Sequence, residues 1–133
     1  MCIRDSGYFM RPALIGGLGN DAEICQEELF GPVGAILPYD TVDEAVEIAN
    51  GTRYGLNANV WGPADEAMRV ARRIRSGTVT LNGGGGERPD APWGGYGESG
   101  VGYDRGEAGF AEFFQVKHVQ WPLAGVGKAA GTK

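Results

Sequence analysis

The side chains that most often build metal sites and nucleophilic sites are scarce in this sequence. Its 133 residues include two cysteines and one histidine, and these do not form the paired spacing typical of a metal site. Cys2 and Cys25 could form at most one bridge, which excludes a scaffold held by disulfides. We therefore expect no metal ion bound to this chain.

Long apolar runs and an excess of positive charge are also missing. No run approaches the roughly 18 apolar residues of a membrane-spanning helix, and the opening M-C-I-R-D-S lacks the apolar stretch of a secretion signal. The net charge of −5 does not favour binding to nucleic acid. These absences predict a cytoplasmic protein without a membrane or nucleic-acid partner.

Glycine, in contrast, is abundant and unevenly placed. The chain has 24 glycines, and 11 of them lie between Gly83 and Gly109. They show no period of three, which excludes collagen, and an apolar fraction of 42% argues against wholesale disorder. The length fits one domain or part of one.

Apolar patterns along the chain predict strands that alternate with helices. We expect strands at 8–14, 33–39, 57–61 and 78–81, and helices at 22–27, 42–50, between 63 and 77, and at 107–113. The continuous apolar run at 33–39 is typical of a strand buried on both faces. This order predicts an α/β fold with a mostly parallel sheet.

Local signals mark where two of the helices begin. Asn20 or Asp21 is expected to cap the first helix. Thr41 and Glu44 form a T-x-x-E capping box at the start of the second, and Gly51 is expected to close it.

Basic residues cluster at the end of the third predicted helix. The cluster consists of Arg69, Arg72, Arg73 and Arg75, and the last three are expected in the final turn, where positive charge suits the helix dipole, before Gly77 ends the helix. This position favours a solvated helix end over a phosphate-binding patch.

Three motifs suggest chemistry that their context does not favour. Gly95, Gly97 and Gly100 have the G-x-G-x-x-G spacing, but a polar loop with prolines precedes them instead of a strand, so we interpret the match as chance. Ser99 lacks the G-x-S-x-G context of a hydrolase nucleophile, and His118, its candidate base, lies in a strand-like segment. Nearby glutamates disfavour a thiolate at Cys25, for which packing is the better interpretation.

The segment 27–33, E-E-L-F-G-P-V, is a stronger candidate for function. Two carboxylates precede an aromatic residue and a Gly-Pro turn that leads into a buried strand. Side chains there would project from the end of a sheet, where α/β proteins bind ligands. A solvated acidic turn remains the alternative.

Many blocks of the chain, in order, resemble the NAD(P)-dependent aldehyde dehydrogenase family. The blocks are G-Y-F-M-R-P-A-L at 7–14, Q-E-E-L-F-G-P-V at 26–33, D-E-A-V-E-I-A-N at 43–50, Y-G-L at 54–56, V-W at 60–61, R-V-A-R-R-I-R-S-G at 69–77, L-N at 81–82, P-W-G-G-Y-G-E-S-G-V-G at 92–102 and F-F-Q-V-K at 113–117. So many collinear blocks are far more specific than any single motif.

The resemblance implies roles for three side chains. Glu28 matches the glutamate that binds the two hydroxyls of the nicotinamide ribose, a task that suits the two acceptor oxygens of a carboxylate. Phe30 would pack near the nicotinamide ring, and Trp93 would form an aromatic wall of the aldehyde pocket, which its larger ring would narrow. Where the family commonly has arginine after the glycines, this chain has Tyr103, with Arg105 two residues on.

The resemblance also implies what this chain does not contain. The family oxidises an aldehyde to a carboxylic acid with NAD or NADP, through a thiohemiacetal and a thioester on a cysteine. The nucleophile, its glutamate base and the dinucleotide-binding fold match regions upstream, so no catalytic residue is expected here, and neither cysteine inherits that role. By itself the chain is expected to be inert.

The implied organisation is part of a three-layer catalytic domain with an oligomerisation strand. We expect a non-native leader at 1–6, the C-terminal half of the catalytic domain at 7–113, the strand at 114–122 and a disordered tail at 123–133. The expected partners are a small aldehyde, the missing N-terminal part and further copies in a homo-oligomer. Two alternatives are a non-catalytic interaction module with the same fold and a metabolite-binding protein without redox chemistry.

Overall fold

Strands and helices alternate along the chain, as the sequence predicts. The computed structural model describes residues 9–86 and 88–121, and the structural statements below refer to these. The elements are β1 (Ala13–Gly16), α1 (Glu23–Gln26), β2 (Val33–Ile36), α2 (Val42–Asn50), β3 (Asn57–Val60), α3 (Ala64–Ala71), β4 (Thr78–Leu81), a 3-10 turn (Gly97–Ser99) and α4 (Gly106–Ala111). The α/β class is confirmed.

Two strand-helix-strand units form the framework. Strands β1 and β2 pair in parallel from Ala13 opposite Val33, and α1 lies between them in the chain. Strands β3 and β4 pair in parallel from Asn57 opposite Thr78, and α3 packs against both. The described residues therefore contain two separate parallel sheets of two strands each.

The capping box of α2 forms largely as predicted. The Thr41 hydroxyl accepts a hydrogen bond of 3.1 Å from the Glu44 amide. The Glu44 carboxylate reaches past Thr41 and accepts from the Asp40 amide at 2.8 Å. The helix ends at Asn50, and the Gly51 amide donates to the Ile48 carbonyl, so the predicted end is also confirmed.

The predicted cap of α1 is wrong. The helix starts after Ala22 without a side-chain cap, and its four residues are fewer than the sequence predicts. Asn20 instead donates from its side chain to the Ile48 carbonyl at 3.1 Å, at the end of α2. A longer-range bond has displaced the local one.

The end of α3 also differs from the prediction. The helix stops at Ala71, so Arg72, Arg73 and Arg75 follow it and do not occupy its last turn. Gly77 does not end the helix, because it lies just before β4 and its amide donates to the Gly55 carbonyl at 3.0 Å. The position of Gly77 is therefore determined by its hydrogen bond to the segment that precedes β3, and not by a role in ending the helix.

The strands are shorter and more exposed than the apolar runs suggest. Strand β1 begins only after Pro12, which has no amide hydrogen to donate. Strand β2 ends two residues before Pro38, and none of its residues is buried. The expected burial on both faces is wrong for the described residues, because their sheet has two strands and leaves its faces open.

Few apolar side chains in the described part of the chain are buried. Val46 and Ala67 are, whereas the exposed ones include Phe30, Phe113 and Val116. Residues 114–121 of the expected oligomerisation strand lie in no helix or strand, and that expectation stays a prediction. The expected leader and tail lie outside the described residues.

Candidate functional site

Glu28 lies where the chain leaves α1, with its side chain exposed to solvent. It lines a cleft of about 520 Å³ together with Tyr54, Arg75 and Ser99. Within the described residues no hydrogen bond or ion pair engages its carboxylate. Both carboxylate oxygens are therefore available to a ligand with two hydroxyl groups.

Phe30 occupies an unusual backbone conformation two residues later. Its φ of 46° is in the left-handed region, which costs a non-glycine residue about 1 kcal/mol or more. Its ring is 93% exposed. The following turn is fixed, because the Val33 amide donates to the Gly31 carbonyl at 2.8 Å and the Ala13 amide donates to the Pro32 carbonyl at 2.9 Å.

Arg53 connects this segment to a distant loop. Its Nη2 lies 2.6 Å from Glu27 Oε2, and its Nε lies 2.8 Å from Glu98 Oε2. The guanidinium also donates to the Tyr54 hydroxyl at 3.1 Å. This hydrogen bond to Tyr54 and then the charge of Glu27 raise the pKa of Arg53 above its ordinary value, against an opposing effect of desolvation.

The loop 92–102 is also bound to residues 53–55 through the backbone. The Glu98 amide donates to the Arg53 carbonyl at 3.0 Å, and the Tyr96 amide donates to the Gly55 carbonyl at 2.9 Å. The Gly55 amide donates to the Ser99 hydroxyl at 2.9 Å. The structure therefore gives the Ser99 hydroxyl a backbone partner.

The G-x-G-x-x-G spacing lies inside this loop. Residues 97–99 form a 3-10 turn, and the next helix begins only at Gly106. The arrangement lacks the strand and the helix that a dinucleotide-binding turn requires. Glycine is required at position 97 for a structural reason. Its φ is +57°, and an added Cβ would collide with the Arg53 carbonyl oxygen.

Trp93 lies at a second cleft. Its amide donates to the Asp104 carbonyl at 2.7 Å, and the Asp104 amide donates back at 2.8 Å. The ring is 43% exposed, and the guanidinium carbon of Arg105 lies 5.9 Å from its centroid. Trp93 lines a cleft of about 670 Å³ that is also lined by Arg88 and the glycines 84–86.

The two clefts are neighbours and not one cavity. Glu28 lines the first and Trp93 the second, whereas Asn57, the first residue of β3, lines both. Sequence reasoning did not identify Arg53 or Asn57. A signal was present for Arg53, because each candidate segment contains a glutamate and this arginine directly precedes the Y-G-L block.

The described residues offer little for other chemistry. No group of three or more histidine, cysteine or acidic side chains among them could hold a metal ion. Cys25 is a free, half-buried thiol in α1. No helix in the described part is both long and apolar enough to cross a membrane.

Arg73 pairs with Asp43 at 2.7 Å on the exposed surface, which agrees with a structural role for that arginine.

Comparison with known proteins gives one consistent family. The sequence pattern of the aldehyde dehydrogenase family matches residues 2–119. A Staphylococcus saprophyticus protein that carries the aldehyde dehydrogenase name is 45% identical over 116 residues, which are 86% of this chain and 24% of that protein.

Solved structures agree with the sequence matches. A mutant aldehyde dehydrogenase C of Pseudomonas syringae, in complex with NAD+ and octanal, is 48% identical with a TM-score of 0.70, and the match covers 75% of this chain and 21% of that one. The Mycobacterium tuberculosis aldehyde dehydrogenase with NAD+ is 37% identical with a TM-score of 0.79, and the match covers 93% of this chain and 26% of that one. The chain spans about a quarter of the length of the curated relatives it matches.

Proposed function

Because the chain belongs to the aldehyde dehydrogenase family, we propose that it is the C-terminal part of an enzyme that oxidises an aldehyde to a carboxylic acid with NAD or NADP. The short span relative to known members supports this proposal. So does the sheet of β1 and β2, none of whose residues is buried, since parallel sheets in complete domains are covered on both faces. Residues 7–113 would then belong to the catalytic domain.

The observation that carries the cofactor assignment is the contrast between two adjacent glutamates. Glu27 is engaged by Arg53, whereas Glu28 has an uncommitted carboxylate at the cleft. A carboxylate in that state fits a ribose diol, to which it can accept two charge-assisted hydrogen bonds. Phe30 offers an exposed aromatic face for the nicotinamide ring. NAD(P)+, when bound, supplies the acceptor for the hydride that leaves the aldehyde carbon.

Trp93 would contribute a wall of the aldehyde pocket. Its indole is half-exposed at the second cleft, and the antiparallel bridge to Asp104 fixes its backbone. An indole in place of a phenyl ring narrows the space for the substrate. The glycines 84–86 line the same cleft without side chains, so the ring has the greater influence on its shape.

The nucleophile and the base would lie in the part of the enzyme that precedes this chain. The chain alone would then not bind an aldehyde productively and would not oxidise it. Residues 114–122 would pair with another copy in a homo-oligomer, a proposal supported by the exposed apolar side chains of Phe114, Val116 and Val119. The proposed location is the cytoplasm.

The test is Glu28→Gln in the longest in-frame protein that contains this sequence. Loss of the charge should raise the KM for NAD(P)+ or slow hydride transfer, and Glu23→Gln, on the exposed start of α1, is the matched control. Kinetics equal to wild type with both NAD and NADP would refute the role of Glu28.

A non-catalytic interaction module is the second candidate. The exposed side chains of Phe113, Val116 and Trp121 favour it, since such a surface suits a protein partner. The genomic sequence directly upstream distinguishes the two. An in-frame nucleophile and dinucleotide domain there would support the enzyme, whereas a ribosome-binding site and a start codon would support the module.

A further inference from the structure

We propose that Arg53 is a positioning residue, which holds the Glu28 segment and the Trp93 loop in a fixed relation by binding Glu27 with one side of its guanidinium and Glu98 with the other. The inference rests on the proposed function and adds a residue to it. Arg53 itself touches neither of the side chains proposed to bind ligands.

The geometry of the two ion pairs requires an arginine. Nη2 and Nε are different atoms of one planar group, and each is within 2.8 Å of a different carboxylate. The same group also donates to the Tyr54 hydroxyl and lies over the Tyr54 ring, with its carbon 5.1 Å from the centroid. A lysine is a point charge on a flexible stem and could satisfy one carboxylate at a time.

Both acids are adjacent to the candidate ligand-binding side chains. Glu27 directly precedes Glu28, and its amide donates to the Glu23 carbonyl, so it is the last residue tied to α1. Glu98 lies in the 3-10 turn of the loop that carries Trp93. Any movement of Arg53 is therefore transmitted to both segments.

The two segments depend on Arg53 to different degrees. The Trp93 loop is also bound by the hydrogen bonds from Tyr96 to Gly55 and from Gly55 to Ser99. In the described part of the chain, residues 28–30 have exposed side chains, and Arg53 holds the residue just before them. Loss of Arg53 should therefore disturb cofactor binding more than the aldehyde pocket.

The effect on global stability should be small. The Arg53 and Glu27 side chains are each 43% exposed, and Glu98 is 63% exposed. Exposed ion pairs contribute little to unfolding free energies. A change in cofactor affinity without a matching change in Tm would thus identify positioning and not folding.

The test compares Arg53→Gln and Arg53→Lys with Arg69→Gln, an exposed arginine of α3 outside both clefts. In the longest in-frame protein, Arg53→Gln should raise the KM for NAD(P)+ by about threefold to tenfold, with smaller changes in kcat and in the KM for the aldehyde. Arg53→Lys should recover part of the loss. Adding Glu27→Gln to Arg53→Gln should cost little more, because the pair is already broken.

A second readout does not depend on activity. Hydrogen exchange in the cofactor-free protein should be faster at the Glu27 amide, which donates to the Glu23 carbonyl, in Arg53→Gln than in Arg69→Gln, with the Tm of the two variants similar. Equal exchange in both variants, additive effects of the Arg53 and Glu27 changes, or a Tm loss that accounts for the KM change would overturn the inference. If Glu28→Gln raises the KM and Arg53→Gln does not, the positioning role alone fails. If Glu28→Gln has no effect, the proposed function fails instead, and the exchange data still decide the role of Arg53.

Discussion

The carbonyl oxygen of Arg53 occupies the space beside Gly97 that a Cβ would fill. The same oxygen accepts a hydrogen bond of 3.0 Å from the Glu98 amide. This close approach fixes the loop 92–102 on the residues that precede β3, and it requires glycine at position 97.

Gly97→Ala should therefore destabilise the protein. The substitution adds a steric collision to a φ of +57°, and together these should cost about 1 to 3 kcal/mol. Urea unfolding of the full protein measures the difference. Gly62→Ala is the control, since nothing lies within 4 Å of the Cβ it would add. Equal unfolding free energies of the two variants would contradict the close approach.

Trp93→Phe should change which aldehydes are preferred. A smaller ring leaves more room in the cleft, so kcat/KM for bulky aldehydes relative to short ones should rise about tenfold, the effect of one or two methylene groups. Competition assays with a series of aldehydes measure the ratio. Trp121→Phe, outside the cleft, should leave the ratio unchanged, and the same result for Trp93→Phe would exclude it from the pocket wall.

The pair of Arg88 and Asp90 should respond to acid. The hydrogen bond from Arg88 and then a backbone hydrogen bond hold the pKa of Asp90 below its usual range. Because the pKa of Asp90 is lowered in the folded state, its ionised form stabilises the protein at pH values above the ordinary carboxyl pKa. This stabilisation is lost as the pH falls through the folded-state pKa. Arg88→Gln should move the titration of Asp90 to higher pH in a carboxyl NMR experiment. No movement, as expected for the control Arg69→Gln, would show that the ion pair is absent in solution.

The isolated chain should behave as an incomplete domain. Val46 and Ala67 are its buried apolar side chains within the described residues, whereas Val116 is 99% exposed. We expect the 133-residue chain to bind apolar dyes and to unfold over a broad temperature range, unlike the longer in-frame protein. A sharp thermal transition of the 133-residue chain would contradict this expectation and favour the interaction module.

Signals between near neighbours in the sequence predicted the structure best. The bond from Glu44 to Thr41 spans three residues, and T-x-x-E is sufficient to predict it. The side chain of Asn50 was not predictable in this way, since it donates to the Arg73 carbonyl at 2.9 Å and accepts from the Arg75 amide at 2.7 Å. No local pattern encodes a partner more than 20 residues away.

In the candidate site, too, some features could be predicted from the sequence and others depend on the folded chain. Glu28 and Phe30 were identified through a family resemblance, which gives a residue its position but not its surroundings. The left-handed backbone of Phe30 and the uncommitted carboxylate of Glu28 depend on how β1, α1 and the loop before β3 meet. Arg53 was missed because its two partners are adjacent to it only in the folded chain.

The carbonyl oxygen of Gly55 accepts hydrogen bonds from both the Gly77 and the Tyr96 amides. A carbonyl has two lone pairs, so this one atom has no capacity left for solvent while both bonds are formed. Three stretches of chain, before β3, before β4 and in the loop of Trp93, meet at that atom. They should open to solvent together, as a single cooperative unit in native-state hydrogen exchange.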